Sequence, residues 1–118
     1  MKTVEYAGMI SVHVYGEYDE ALFISSVREP LAGELENIKG KRVTARYWIT
    51  DRPTDKDSAI TEFLKTLDGD ADVVFNSRYS EYTGYLWTDE WLNIGGHDLI
   101  DELKSNVGKW LILELDIY

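Results

Sequence analysis

Two stretches of this sequence read as copies of one another, and that limits the fold more than any single motif does. Set over each other, LAGELENIKGKRVTARYWIT (31–50) and LIDELKSNVGKWLILELDIY (99–118) bring Leu31 onto Leu99, Glu34 onto Glu102, Leu35 onto Leu103 and Gly40–Lys41 onto Gly108–Lys109. The apolar alternation matches as well: Val43, Ala45, Tyr47 and Ile49 fall on Leu111, Leu113, Leu115 and Ile117. Upstream, after a two-residue adjustment, DEALFIS (19–25) meets DEWLNIG (89–95), and Tyr15 falls on Tyr85. Two collinear matches that keep the core periodicity point to duplication of a unit, with copies over about residues 3–50 and 71–118.

The unit can be read locally. Its last segment alternates apolar and polar with period two, the strand signal. A short helix precedes it: Pro30 suits a first turn, and Leu31 and Leu35 fall on one face at i, i+4, as do Leu99 and Leu103. Gly40 and Gly108 stand where a chain leaving a helix needs a permissive backbone. Upstream lie two strand-like pieces per copy. In the first copy these are Thr3–Tyr15 and Ala21–Ser25. In the second they are Ala71–Tyr79 and Tyr82–Ile94, with a break expected at Thr88–Glu90. Between the copies, TDKDSAITEFLKTLDG reads as a helix. Thr54 is its N-cap, Asp55 and Asp57 lie in its first turn, and Gly69 lies past its end. Ala59, Ile60, Phe63, Leu64 and Leu67 would form its apolar stripe.

The expected fold is therefore α+β, one domain over residues 1–118. It is a small six-stranded, barrel-like sheet made of two strand–strand–helix–strand repeats with pseudo-twofold symmetry. A connecting helix at about 55–67 would lie against the sheet or close one end. This arrangement resembles the cradle-loop barrels in topology, and the resemblance implies a fold and no function.

Charge sets the first functional bound. Twelve basic residues against 22 acidic ones leave a net charge of −10. Direct contact with DNA, RNA or an anionic membrane is disfavoured, because phosphate binding needs Lys and Arg. The acids are concentrated: six lie between Asp55 and Asp72, and six more between Glu81 and Glu102, where no Lys or Arg occurs. No apolar run approaches the length of a membrane span, and the N-terminal MKTVEYAGMI lacks a signal-peptide core. Cysteine is absent, which excludes disulfides and thiolate metal sites and fits a reducing, cytoplasmic setting.

Catalytic and metal motifs give little. DGDAD (68–72) has the alternating acids of a calcium loop, but the sixth and twelfth positions are Val73 and Tyr79 rather than Gly and Glu. A helix stop followed by a strand start reads better. His13 alternates against Ile10, Val12 and Val14 and is expected to be exposed or in a second layer. His97, after Gly95–Gly96 and before Asp98, sits in a turn that could present a general base and more often serves as a helix cap. There is no nucleophile elbow, HExxH pair or phosphate loop. No catalytic residues, no metal and no cofactor are assigned.

The outer positions of the two final strands differ. Arg42, Thr44, Arg46, Trp48 and Thr50 correspond to Trp110, Ile112, Glu114, Asp116 and Tyr118. The reversal from Arg46 to Glu114 reads as drift on solvated faces, and Trp48 and Trp110 as exposed anchors, unless helices cover both sides of the sheet. The remaining concentration of signal is YSEYTGYLWTDEWLNIGGHDL (79–99), where aromatics stand beside acids. Such aromatics either pack across strands or anchor a protein partner. Asp89–Glu90 recurs as Asp19–Glu20, which gives that pair a turn role.

The leading expectation is a non-enzymatic acidic module that docks onto a basic, nucleic-acid-binding protein and blocks it by mimicking nucleic acid. Small size, net charge and aromatics beside acids suit the counter-defence proteins of phages and mobile elements. Its candidate partner-binding residues are Glu81, Tyr85, Trp87, Asp89, Glu90, Trp91, Asp98, Asp101 and Glu102. Two other classes stand beside it. One is a small-ligand binding domain or minor enzyme with a site at the pseudo-twofold axis. The other is an oligomerising structural module pairing through Trp48, Trp110 and the terminal strand.

Overall fold

In a computed structural model, residues 1–15, 19–53, 65–82 and 84–118 are described, with backbone alone for Val14, Tyr15, Asp19, residues 77–80 and residues 85–87. The elements are β1 (Lys2–Tyr15), β2 (Asp19–Ile24), α1 (Leu31–Glu34) with a 3₁₀ turn at Glu36–Ile38, β3 (Arg42–Thr50), β4 (Lys65–Ser80), β5 (Tyr85–Ile94), β6 (His97–Asp98), α2 (Leu99–Lys104) and β7 (Trp110–Ile117). Among the described residues seven strands, rather than the six expected, join one antiparallel sheet in the order β2-β1-β7-β3-β4-β5-β6, the additional strand being the two-residue β6. The result is a sheet-rich α+β fold with few helices among the described residues.

Period-two alternation builds the core. Val43, Ala45 and Tyr47 of β3, Leu111, Leu113 and Leu115 of β7, Ala71 and Val73 of β4, and Leu92 and Ile94 of β5 are buried together. Leu31, Ala32, Leu35 and Ile38 from the α1 region, and Leu99, Ile100 and Leu103 of α2, join the same core. Their i, i+4 spacing gives each short helix one apolar stripe to bury. Asp98 caps α2 by accepting from the Ile100 N–H at 3.1 Å.

Two strands exchange partners midway. β1 pairs with β7 through Lys2–Met9 and with β2 through Ile10–Tyr15. β4 pairs with β3 through Lys65–Asp70 and with β5 through Ala71–Ser80. The bonds at the two exchange points match one for one. The Gly40 N–H donates to Ala71 O at 2.8 Å, and the Gly108 N–H to Ile10 O at 2.9 Å. The Ala71 N–H donates to Lys41 O at 2.9 Å, and the Ile10 N–H to Lys109 O at 2.8 Å. The Gly95 N–H reaches Asp70 O at 3.3 Å, as the Ser25 N–H reaches Met9 O at 3.0 Å. Glycine is required at both crossings. A Cβ on Gly8 would lie 2.8 Å from Ser25 N, and one on Gly69 would lie 2.6 Å from Gly95 Cα.

The centre of the sheet is the β3–β7 pair. Its register sets Val43 against Ile117, Ile49 against Leu111, and Arg46 against Glu114 midway between them.

Three further expectations are corrected. The helix expected at about 55–67 does not include Lys65–Leu67: Lys65–Gly69 is strand, with Leu67 opposite Ala45 on β3, and residues 54–64 lie outside the described residues. Leu67 suits a helical stripe and a period-two inner position equally, and the edge of β3 decides in favour of the strand. Gly69 is consequently inside β4 and not past a helix end. The break expected at Thr88–Glu90 does not occur, since β5 runs unbroken through Tyr85–Ile94. Trp48 is buried and Trp110 half-buried, so neither is a freely exposed anchor.

Candidate functional site

Strand parity divides the acids of the second half between two faces. On β4 the odd positions Ala71 and Val73 are buried, so Asp68, Asp70 and Asp72 point outward from successive even positions. The register places Asn93 opposite Asp72, Trp91 opposite Val74, and Asp89 opposite Asn76. Directly opposed residues share a face, so Asp89 and Trp91 stand beside the aspartate row. Successive members of the row are set about 7 Å apart along the backbone by two residues of strand rise. That step is of the same order as the spacing of successive phosphates in an extended nucleic-acid strand.

Three contacts organise this face. The Trp91 Nε1–H donates to Asp72 Oδ2 at 3.1 Å, which lays the half-buried indole across from β5 toward β4. Arg42 of β3 places Nη2 at 3.0 Å from Asp68 Oδ2, and the Thr44 hydroxyl donates to Asp68 Oδ1 at 3.1 Å. Asp70, opposite Arg42 in the ladder, is exposed. Beyond Asn76 the β4–β5 hairpin continues to a turn in which Glu81 is exposed and Tyr82 is fully exposed. Arg78 and Trp87 oppose each other in that arm, as do Ser80 and Tyr85.

The other candidate acids are engaged inside the fold. Parity turns Glu90 inward, where its side chain is only 3% exposed. It accepts from the Leu22 N–H at 3.2 Å and meets Lys104 Nζ at 2.7 Å. Asp98 accepts from the N–H groups of Ile100 and Leu92, each at 3.1 Å. Leu22 lies on the edge strand β2, and Leu92 lies on β5 just beyond its short pairing with β6, so two carboxylates satisfy backbone donors that no neighbouring strand takes up. Asp101 is exposed on α2. Of the nine residues named from the sequence, Asp89 and Trp91 therefore share the outer face, while Glu90, Asp98 and Glu102 hold the scaffold. Glu81 lies at the hairpin turn, and for Tyr85 and Trp87 only the backbone position is described.

Glu102 belongs to a second cluster. Its Oε1 lies 3.2 Å from His97 Nε2 and 3.4 Å from Lys65 Nζ, and that ammonium sits 5.9 Å from the centre of the Tyr47 ring. Burial, and secondarily the Glu102 carboxylate, push the Tyr47 hydroxyl well above the usual phenol range. His13 is exposed, with its ring edge-on to Phe23 at 5.5 Å.

At the middle of the β3–β7 pair, the Arg46 guanidinium binds both Glu114 and Asp116. Its Nε–H donates to Glu114 Oε1 at 2.9 Å, and Nη2 lies 2.8 Å from Asp116 Oδ2. The Thr3 hydroxyl donates to Asp116 at 2.8 Å. That hydroxyl, and then the guanidinium, hold the Asp116 carboxyl below the usual carboxylate range, while the two carboxylates raise the Arg46 pKa. The reversal from Arg46 to Glu114 is thus an ion pair across the ladder and not drift on a solvated face. Internal partners fill this position on the outer side, and core side chains fill it on the inner side.

Sequence reasoning missed Asp68, Asp70 and Asp72 as members of the face. The signal was present in DGDAD, whose alternation is strand parity rather than a chelating loop. Among the described residues no three His, Asp or Glu side chains gather to hold a metal, and no helix is long and apolar enough to cross a membrane. No protein-family model, no curated protein and no solved structure matches the chain.

Proposed function

We propose that this chain is a non-enzymatic docking protein that blocks a basic DNA- or RNA-binding protein by occupying its nucleic-acid channel. One observation carries the reading: Asp68, Asp70 and Asp72 form an outward row at strand spacing, flanked on the same face by Asp89 and Trp91. Carboxylates at that spacing stand in for backbone phosphates, and an aromatic ring beside them stands in for a base. Net charge of −10 adds long-range attraction to a basic partner. The counter-defence proteins of phages and mobile elements, acting in the cytoplasm, are the class this chemistry suits.

The scaffold reading belongs to the same proposal. The matched bonds at the two strand exchanges, and the register centred on Arg46 and Glu114, support duplication of a strand–strand–helix–strand unit about a pseudo-twofold axis. The bond from the Leu22 N–H to Glu90 across the gap between β2 and β5 supports a barrel-like closure made by a side chain.

The test is affinity capture from host lysate with the wild-type chain and with an Asp68→Asn, Asp70→Asn, Asp72→Asn variant. The expected result is a nucleic-acid-binding protein held by the wild type, released by added DNA or RNA, and lost with the variant. Equal capture by the variant, or a partner that nucleic acid does not displace, would overturn the reading.

A further inference from the structure

We propose that the β4–β5 face selects arginine over lysine side chains on its partner; this rests on the docking role proposed above and names the chemistry that the face recognises. Charge complementarity alone does not distinguish the two cations. The distinction comes from what stands beside the carboxylates.

The face already holds one guanidinium. Arg42, with 61% of its side chain exposed, lies on Asp68 through Nη2 at 3.0 Å, while the Thr44 hydroxyl takes the second carboxylate oxygen. Further along the row, Asp70 is exposed and Asp72 fixes the Trp91 indole through its N–H at 3.1 Å. An indole held at its edge and half-buried keeps a fixed orientation and leaves part of its ring open to a partner. At the hairpin turn Glu81 and Tyr82 are exposed as well.

A guanidinium is planar, weakly hydrated and a fork of donors, so it can stack on a ring while it bonds to a neighbouring carboxylate. An ammonium is a compact, strongly hydrated point charge and gains less from the ring. The aspartates therefore attract both cations, and Trp91 discriminates between them. The partner surface that fits is arginine-rich.

The test uses the intact chain and two probes, nona-arginine and nona-lysine peptides, titrated calorimetrically at one ionic strength. Nona-arginine is expected to bind about three- to fivefold more tightly. Trp91→Leu is expected to erase that gap without weakening nona-lysine, and Trp91→Phe, which keeps a ring, to retain most of it. A Glu29→Gln, Glu36→Gln variant removes charge elsewhere and is expected to keep the gap. Equal binding of both peptides to the wild type overturns arginine selectivity and leaves the docking role standing. Absence of binding by either peptide overturns both. A gap that persists in Trp91→Leu also overturns the inference, because the ring would not be its source.

Discussion

At the scale of single residues, Arg46 and Glu114 explain the most. They are opposed at the middle of the β3–β7 ladder, and Asp116 adds a second carboxylate to the same guanidinium. Two like charges at these directly opposed positions would repel each other, so opposite charges there stabilise the centre of the sheet. Glu114 is nearly buried, and removing its charge alone leaves Arg46 beside a half-satisfied site. The charge reversal was visible in the sequence, but its cause was not. Which residue faces which across distant strands is a matter of register, and nothing local to either strand specifies it. Arg46→Glu, which sets three acids together, is expected to destabilise the fold by about 3 kcal/mol. Adding Glu114→Arg should recover more than half of that loss, because the two positions face each other. Urea denaturation of the single and double variants checks this, and a double variant no more stable than the single would contradict it.

At the scale of elements, the terminal strands and short helices were legible because each appears twice with the same apolar spacing. The stretch 65–69 was not, because Leu67 fits a helical stripe and an alternating strand alike. Its strand state matters for the proposed function. Extending β4 back to Lys65 turns DGDAD into an aspartate row on one face, beside Asp89 and Trp91 of β5. The crossing of β4 near the end of β5 is what allows that geometry. There Gly95 has φ +60, and a Cβ on it would lie 2.4 Å from Asp68 O. Gly95→Ala is expected to cost about 2 kcal/mol by forcing a side chain into a left-handed, closed position. Thermal unfolding of the variant measures this, and an unchanged transition temperature would contradict the close approach.

At the scale of the whole molecule, the acids fall into two groups that the sequence does not separate. Glu90 and Asp98 satisfy backbone donors of β2 and β5, and Glu102 gathers Lys65 and His97, so these acids are accounted for by the fold. Asp68, Asp70, Asp72 and Asp89 face outward on the β4–β5 hairpin, with Arg42 as a basic neighbour on β3. Half of the candidate surface was legible, as aromatics beside acids in 79–99. The other half came from the earlier acidic run, which only the sheet register brings alongside. The most direct measurement is backbone amide NMR of the isotopically labelled chain titrated with nona-arginine. Shifts are expected to concentrate at Asp68–Asp72 and Asp89–Trp91, and to weaken steeply with added salt. Shifts concentrated instead at Glu29, Glu34 and Glu36, or on α2 around Asp101, with the β4–β5 face unmoved, would contradict the assignment of that face as the docking surface.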